Sequence, residues 1–153
     1  MGRGSRSQRG APVHIRRLRL ADYLDVVRLL DIAGLHPRVG GRESRPAFSR
    51  QLRANRPSYL GAFDDRRLVG VVLGTHDTRK GWINRLAVHP DYRRRGIAAR
   101  LVRECERHLR RRGIEIFAAL IESDNPGSVA LLHRLGYEAT DIVYARRKLR
   151  PDI

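Results

Sequence analysis

The stretch "HPDYRRRGIAARL", His89 to Leu101, sets three arginines directly before a glycine and then runs into a helical pattern. In "GIAARLVRECERHLRRRG", Ile97, Leu101, Cys105 and Leu109 recur every four residues, Ala98 and Val102 widen the apolar stripe, and Gly113 stops it. "WINRLAV", Trp82 to Val88, precedes the turn and reads as a strand. Strand, turn and helix start are therefore contiguous. The first N–H groups of a helix lack intrahelical acceptors and sit at the positive end of its dipole, so this unit suits a phosphate or pyrophosphate. Gly96 removes a side chain where an anion must approach the backbone, Ala98 keeps the next turn low, and Arg93, Arg94 and Arg95 add charge at the mouth.

Working outward, "SYLGAF" and "RLVGVVLGT" flank "DDR" and read as a β-hairpin. Upstream, "VHIRRLRL" reads as a first strand and "ADYLDVVRLLDIAG" as a helix with Tyr23, Val26, Val27 and Leu30 on one face and Gly34 as its stop. "LHPRVGGRESR" is loop, and "PAFSRQLRAN" is a second short helix opening at Pro46 and closed by Pro57. Downstream, the apolar "IEIFAALI" reads as a buried strand. Asn125 N-caps a further helix with Pro126 at its first position and Gly136 as its stop, and two short strands, near Tyr137 and in "DIVYARRKL", are expected to finish the fold. The order β, α, α, β, β, β, α, β, α, β, β implies an α/β fold of the α+β kind, a mixed sheet with helices on both faces.

At 153 residues the chain has room for one domain with a proper core. We expect a disordered basic tail over residues 1–12 and a single domain over 13–153. The formal charge is +16, from 32 Lys and Arg against 16 Asp and Glu, and Lys80 and Lys148 are the only lysines. That balance points to an anionic partner without choosing one, and an arginine-biased proteome explains it equally well. One cysteine, Cys105, excludes an intrachain disulfide and a multi-cysteine metal site. No apolar run approaches the roughly 18 residues that span a bilayer, and no signal-peptide pattern opens the chain. The expectation is a soluble cytoplasmic protein with no membrane partner and no metal.

"RRRGIA", with Arg93, Gly96 and Ala98, matches the Arg/Gln-x-x-Gly-x-Gly/Ala signature of the GCN5-related N-acetyltransferases, or GNAT superfamily. "RLAVHPDYRRRG", the long helix after it and "NPGSVALLHRLGY" have the same layout, so the chain resembles that family from about Ile15 to Leu149. The resemblance implies an acyl-CoA N-acyltransferase fold: a mixed, mostly antiparallel central sheet with a splay between strands four and five. It implies acetyl-CoA as cosubstrate, its pyrophosphate on the backbone of Arg94, Arg95, Gly96, Ile97 and Ala98 beside Arg93, its pantetheine arm along Leu86, Ala87 and Val88. Asn125 would meet the far end of that arm, or act as an N-cap alone.

Acetyl transfer from a thioester needs a neutral amine, and a lysine-like amine with a pKa near about 10.4 must first lose a proton. Many relatives carry a tyrosine acid seven residues beyond the asparagine, where this chain has Leu132; His133, one step along, points about 100° away. Relatives often place a glutamate base on the fourth strand, where this chain offers Asn84, an amide that can at best hold a water. Glu122, after the buried strand, is the best carboxylate, and Tyr144 reaches the splay if its strand faces inward. His76 and Asp77 can build a water-linked base, bind substrate or simply form a turn, and Cys105 lies on the apolar stripe as core. The economical mechanism is direct attack within a ternary complex, with the oxyanion on the N–H of Val88 or Leu86.

The resemblance implies an amine acceptor, on a protein or a small molecule, and the basic loop "HPRVGGRESRPAF" argues mildly against a polycation. One rival is a non-catalytic acyl-CoA-binding or regulatory domain. The other is a nucleic-acid binder, since Arg93 to Arg112 holds nine arginines and two glutamates, although aromatic residues are not interleaved and specific recognition is not expected. Relatives are often dimers, so a homodimer is possible on the resemblance alone.

Overall fold

The computed structural model describes residues 12–153. Five strands, β1 (His14–Arg17), β2 (Tyr59–Asp64), β3 (Arg67–His76), β4 (Gly81–Val88) and β5 (Phe117–Ala119), lie side by side in chain order. Every neighbouring pair is antiparallel except β4 with β5. Four helices accompany them: α1 (Tyr23–Ile32), α2 (Arg45–Ala54), α3 (Ile97–Arg110) and α4 (Pro126–Arg134). This is the mixed, mostly antiparallel sheet expected. The tail expected over residues 1–12 falls, apart from Pro12, outside the described residues.

Helices cover both faces. On one, Leu101, Val102, Cys105 and Leu109 of α3 meet Leu60, Ala62, Val69, Val72 and Ile83 of the sheet, and Leu132 of α4 joins them. On the other, Val26, Leu29 and Leu30 of α1 and Phe48 of α2 meet Tyr59, Phe63, Val71, Leu73 and Ala87. Burial on both faces explains why "LVGVVLG" in β3 is almost continuously apolar instead of alternating. Gly74 lets α3 press close: a Cβ there would collide with Cys105 Sγ. Ile97, Leu101, Val102 and Leu109 are almost fully buried. At about 1.5–3 kcal/mol each, they anchor α3 by roughly 6–12 kcal/mol before entropy, which fixes the helix start and the turn before it.

Local signals place most boundaries. Ser44 Oγ accepts from Ala47 N at 3.3 Å, so α2 starts one residue earlier than expected and Pro46 is its second residue. The hairpin turns at Asp65 with φ +53°, and Gly34, Gly113 and Gly136 come after α1, α3 and α4 with φ of +82°, +80° and +92°.

Two expectations fail at the C-terminal end. "IEIFAALI" is not a long buried strand; β5 is three residues long and half-buried, with Ile116 and Leu120 exposed. The two closing strands do not form: beyond Gly136 the chain is irregular, and Ile142, Val143, Tyr144 and Leu149 are 62–86 % exposed. A strand exists only against a partner ladder, and so short a β5 offers too few positions to pair. No described helix is long and apolar enough to cross a membrane.

Candidate active site

The site begins where β4 loses its partner. β5 pairs only Gly81, Trp82 and Ile83, so the rest of β4 runs on beside a gap. Within that stretch β4 carries one extra residue: Leu73 of β3 opposes Asn84 while Val71 opposes Ala87, and Arg85 sits at φ +51°. This is a β-bulge, which bends the strand and re-aims its C-terminal half. His89 N donates to Val69 O of β3 at 2.8 Å. By alternation, Ala87 also turns its backbone toward β3, and Leu86 and Val88 turn theirs into the gap. Ala87, buried on the α1 side, therefore does not line the gap as expected with its neighbours.

At the end of β4, a 3-10 turn over Pro90–Tyr92 leads to the arginines. His89 Nδ1 accepts from Asp91 N at 3.1 Å, and Tyr92 is buried with its hydroxyl donating to Asp64 Oδ2 at 2.5 Å. The guanidinium of Arg95 lies 4.8 Å from the Tyr92 ring centre, and that of Arg67 lies 5.6 Å away. These contacts fix the turn. Arg94 and Gly96 both have positive φ, +62° and +75°, and Gly96 caps α3 with no side chain. The first α3 bond is Arg100 N to Gly96 O at 3.1 Å. The N–H groups of Arg94, Arg95, Gly96, Ile97, Ala98 and Ala99 have no acceptor among the described residues. A Cβ on Gly96 would meet nothing within 4 Å, so the backbone is open to an incoming ligand. A run of free amides at the start of a long helix, rimmed by three exposed arginines, is a geometry that suits an anion.

The gap beside β4, where β5 pairs only its first three residues, is the splay expected between strands four and five. Residues 26–137 match the Acetyltransferase (GNAT) family. The chain belongs to the GNAT acetyltransferase family. An acetyltransferase of Pectobacterium atrosepticum is 32% identical over 105 residues, which cover 69% of this chain and 74% of that one. The PaiA N-acetyltransferase of Thermoplasma acidophilum, solved in complex with coenzyme A, superposes with a TM-score of 0.78 at 18% identity, covering 87% of this chain and 94% of that chain. AAC(6')-Iy, solved with the bisubstrate analogue CoA-S-monomethyl-acetylneamine, gives 0.74 at 20% identity, with 90% and 99% covered. At these identities the two structures speak for the fold.

In this GNAT acetyltransferase the expected acid–base residues do not converge. Asn84 Nδ2 donates to Thr75 Oγ1 at 3.0 Å and to Trp82 O at 3.3 Å, so its amide ties β4 to β3. Glu122 lies three positions past the end of β5, exposed and without an ion pair among the described residues. Tyr144 is exposed in the irregular C-terminal segment, because the strand meant to carry it inward does not form. Leu132, at the position where relatives carry tyrosine, is buried in the α3-side core, and His133 beside it is exposed. Asn125, an exposed residue, accepts from Ser128 N at 3.1 Å as the α4 N-cap. Asp77 is held by the N–H groups of Lys80 and Arg79, which bring its carboxyl down to about 2, and His76 Nδ1 accepts from Thr78 N; the pair builds a turn. Burial pushes the Cys105 thiol up to about 12, as befits core. The described residues contain no cluster able to hold a metal ion.

Sequence reasoning missed the bulge and its tether. Arg85 pairs with Glu43 of the loop between α1 and α2, and Glu43 also accepts from Arg38 N at 2.7 Å and faces Arg42 Nε at 3.4 Å. Tyr23 Oη donates to the Glu43 carbonyl at 2.8 Å. Burial, with Arg42 nearby, holds the Arg85 guanidinium below its ordinary pKa. One signal was legible: Ile83 and Leu86 face α3 although three residues apart, which a regular strand forbids, and the polar pair Asn84–Arg85 marks the slip.

Proposed function

We propose that this chain moves an acetyl group from acetyl-CoA to a primary amine by direct attack in a ternary complex, within a unit spanning residues 13–153. The observation that carries the reading is the run of acceptor-less amides from Arg94 to Ala99 at the end of the β4 gap. The pyrophosphate would rest on the amides of Arg94, Arg95, Gly96, Ile97 and Ala98. Arg93 and Arg94 are exposed at the rim, free to pair with its oxygens, and Arg95 is partly engaged by Tyr92. The pantetheine arm would add to the open side of β4 through the backbone of Leu86 and Val88, as a strand adds to a sheet edge, and reach Asn125. The N–H of Leu86 or Val88 is then the donor for negative charge developing on the carbonyl oxygen.

With Asn84 tied to Thr75 and Glu122 and Tyr144 exposed, the amine would lose its proton to water, and rate would come from alignment of amine and thioester. A non-catalytic acyl-CoA-binding reading draws on the same absence of a placed acid and base. Incubation with acetyl-CoA and a panel of peptide and small-molecule amines, monitored as free thiol released, separates the two. Amine-dependent release supports transfer. Bound acetyl-CoA with no release above buffer by any amine supports the non-catalytic reading.

A further inference from the structure

A nucleotide-sized cofactor would engage only the arginines at the cradle, a small part of the +16 charge. The structure gathers a second group elsewhere. A cleft of about 670 Å³ between the end of β1, the turn after it and the second half of α2 is lined by Arg16, Arg17, Arg19, Arg53 and Arg56 and by no Asp or Glu. Arg112, just past α3, extends this surface by donating to Arg56 O at 3.2 Å. Two of the five are occupied: Arg16 makes a two-pronged bond to Asp22 at 2.9 and 3.0 Å, and Arg53 donates to Ser49 Oγ at 2.8 Å. Arg17, Arg19 and Arg56 have no side-chain acceptor among the described residues. The cradle sits at the start of α3 and Arg112 just beyond its end, so about 21 Å of helix separates the two basic sites.

Like charges gathered at one place repel one another, and a bound polyanion relieves that cost. The residues are arginines, whose planar forks suit phosphate oxygens. The one aromatic ring in the lining, Tyr59, is buried, so no base can stack there and only a backbone can be read. We propose that this cleft is a docking site for the phosphate backbone of a duplex nucleic acid, independent of sequence and separate from the acetyl-CoA site.

Fluorescence anisotropy with a labelled 20-base-pair DNA duplex tests this on the full chain. Three proteins are compared between 50 and 200 mM salt: wild type, Arg17→Gln/Arg19→Gln/Arg56→Gln, and a control with the same charge loss elsewhere, Arg28→Gln/Arg66→Gln/Arg146→Gln. Each phosphate contact contributes about 0.9 to the log–log salt slope. The cleft variant should therefore lose about 2.7 in slope, which makes its loss of affinity across that fourfold salt range roughly 40-fold smaller. The control should keep the wild-type slope, and all three should bind acetyl-CoA alike, which reports an intact fold. Equal weakening in the control would reduce the effect to net charge and overturn the proposal. So would absence of duplex binding at 50 mM salt, or equally tight, equally cleft-dependent binding of poly-L-glutamate, which would mark an acidic-protein surface.

Discussion

Removing the negative partner of Arg85 gives the sharpest test of how the β4 bulge is held. Arg85 is 20 % exposed and Glu43 10 %. Glu43→Gln keeps the shape and the bond from Arg38 N but leaves a half-buried guanidinium facing Arg42 without a counter-charge. Breaking a buried pair on one side costs about 3–5 kcal/mol, and partial exposure reduces this to about 2–3 kcal/mol. For a chain of this length that lowers Tm by about 4–12 °C. Arg85→Met should cost less, about 1–2 kcal/mol, because Glu43 keeps Arg38 N and Arg42. The double variant removes both charges and should return to within about 1 kcal/mol of wild type, a coupling of about 2–5 kcal/mol. Urea unfolding read by the fluorescence of Trp82, the only tryptophan and itself on β4, measures all four corners of the cycle. A Glu43→Gln protein within about 0.5 kcal/mol of wild type, or strictly additive singles, would show that the pair does not hold the bulge.

Gly74→Ala pushes a methyl group into Cys105 Sγ; overpacking of this kind costs about 1–3 kcal/mol in chemical denaturation, and adding Cys105→Ala should recover part of it. Asp22 is a buried carboxylate: burial alone would raise its pKa, but the bonds from Arg16 and Arg19 N and their charges outweigh it and hold the pKa below the usual carboxylate value. Its contribution is therefore fully present above the unfolded carboxylate pKa of about 3.9 and is lost as pH falls through the lower folded value. Asp22→Asn should cost about 2 kcal/mol at pH 7, and the gap to wild type should close in unfolding titrations below about pH 4; a gap that persists there would contradict the assignment. Glu122→Gln and Tyr144→Phe should each change kcat with a good amine acceptor by less than about twofold, and a drop of a hundredfold in either would restore it as an acid or base.

Local chemistry made α3, α4 and the β2–β3 hairpin legible. Leu101, Cys105 and Leu109 repeat at helical spacing, Asn125 and Pro126 open α4, and "DDR" separates two apolar runs, each a signal contained within a few residues. The stretch proposed to hold the pyrophosphate was readable for the same reason, since strand, glycine and helix start are contiguous. Non-local pairing was not. "IEIFAALI" and "DIVYARRKL" have strand composition, but a strand needs a neighbour, and the first finds only three residues of β4 and the second finds none. Arg85 and Glu43 lie on separate elements that only the folded sheet brings together, and the separate cleft of Arg17, Arg19 and Arg56 draws on three. Counting arginines along α3 pointed to a helix face, whereas folding gathered the cleft from β1, the turn after it and the end of α2.

Isothermal titration of wild type and Gly96→Glu with acetyl-CoA tests the central claim most directly. Gly96 has open space around it and φ +75°, so a side chain there costs the fold about 1–2 kcal/mol of backbone strain and meets no protein atom. A carboxylate set about 4 Å from a pyrophosphate adds up to about 4 kcal/mol of repulsion at an effective dielectric of 20. Tight binding by wild type that weakens at least about a hundredfold in a still-folded Gly96→Glu is the expected result. Equal affinity for acetyl-CoA in both proteins would place the pyrophosphate elsewhere, and no binding by wild type would remove acetyl transfer as the function of this chain.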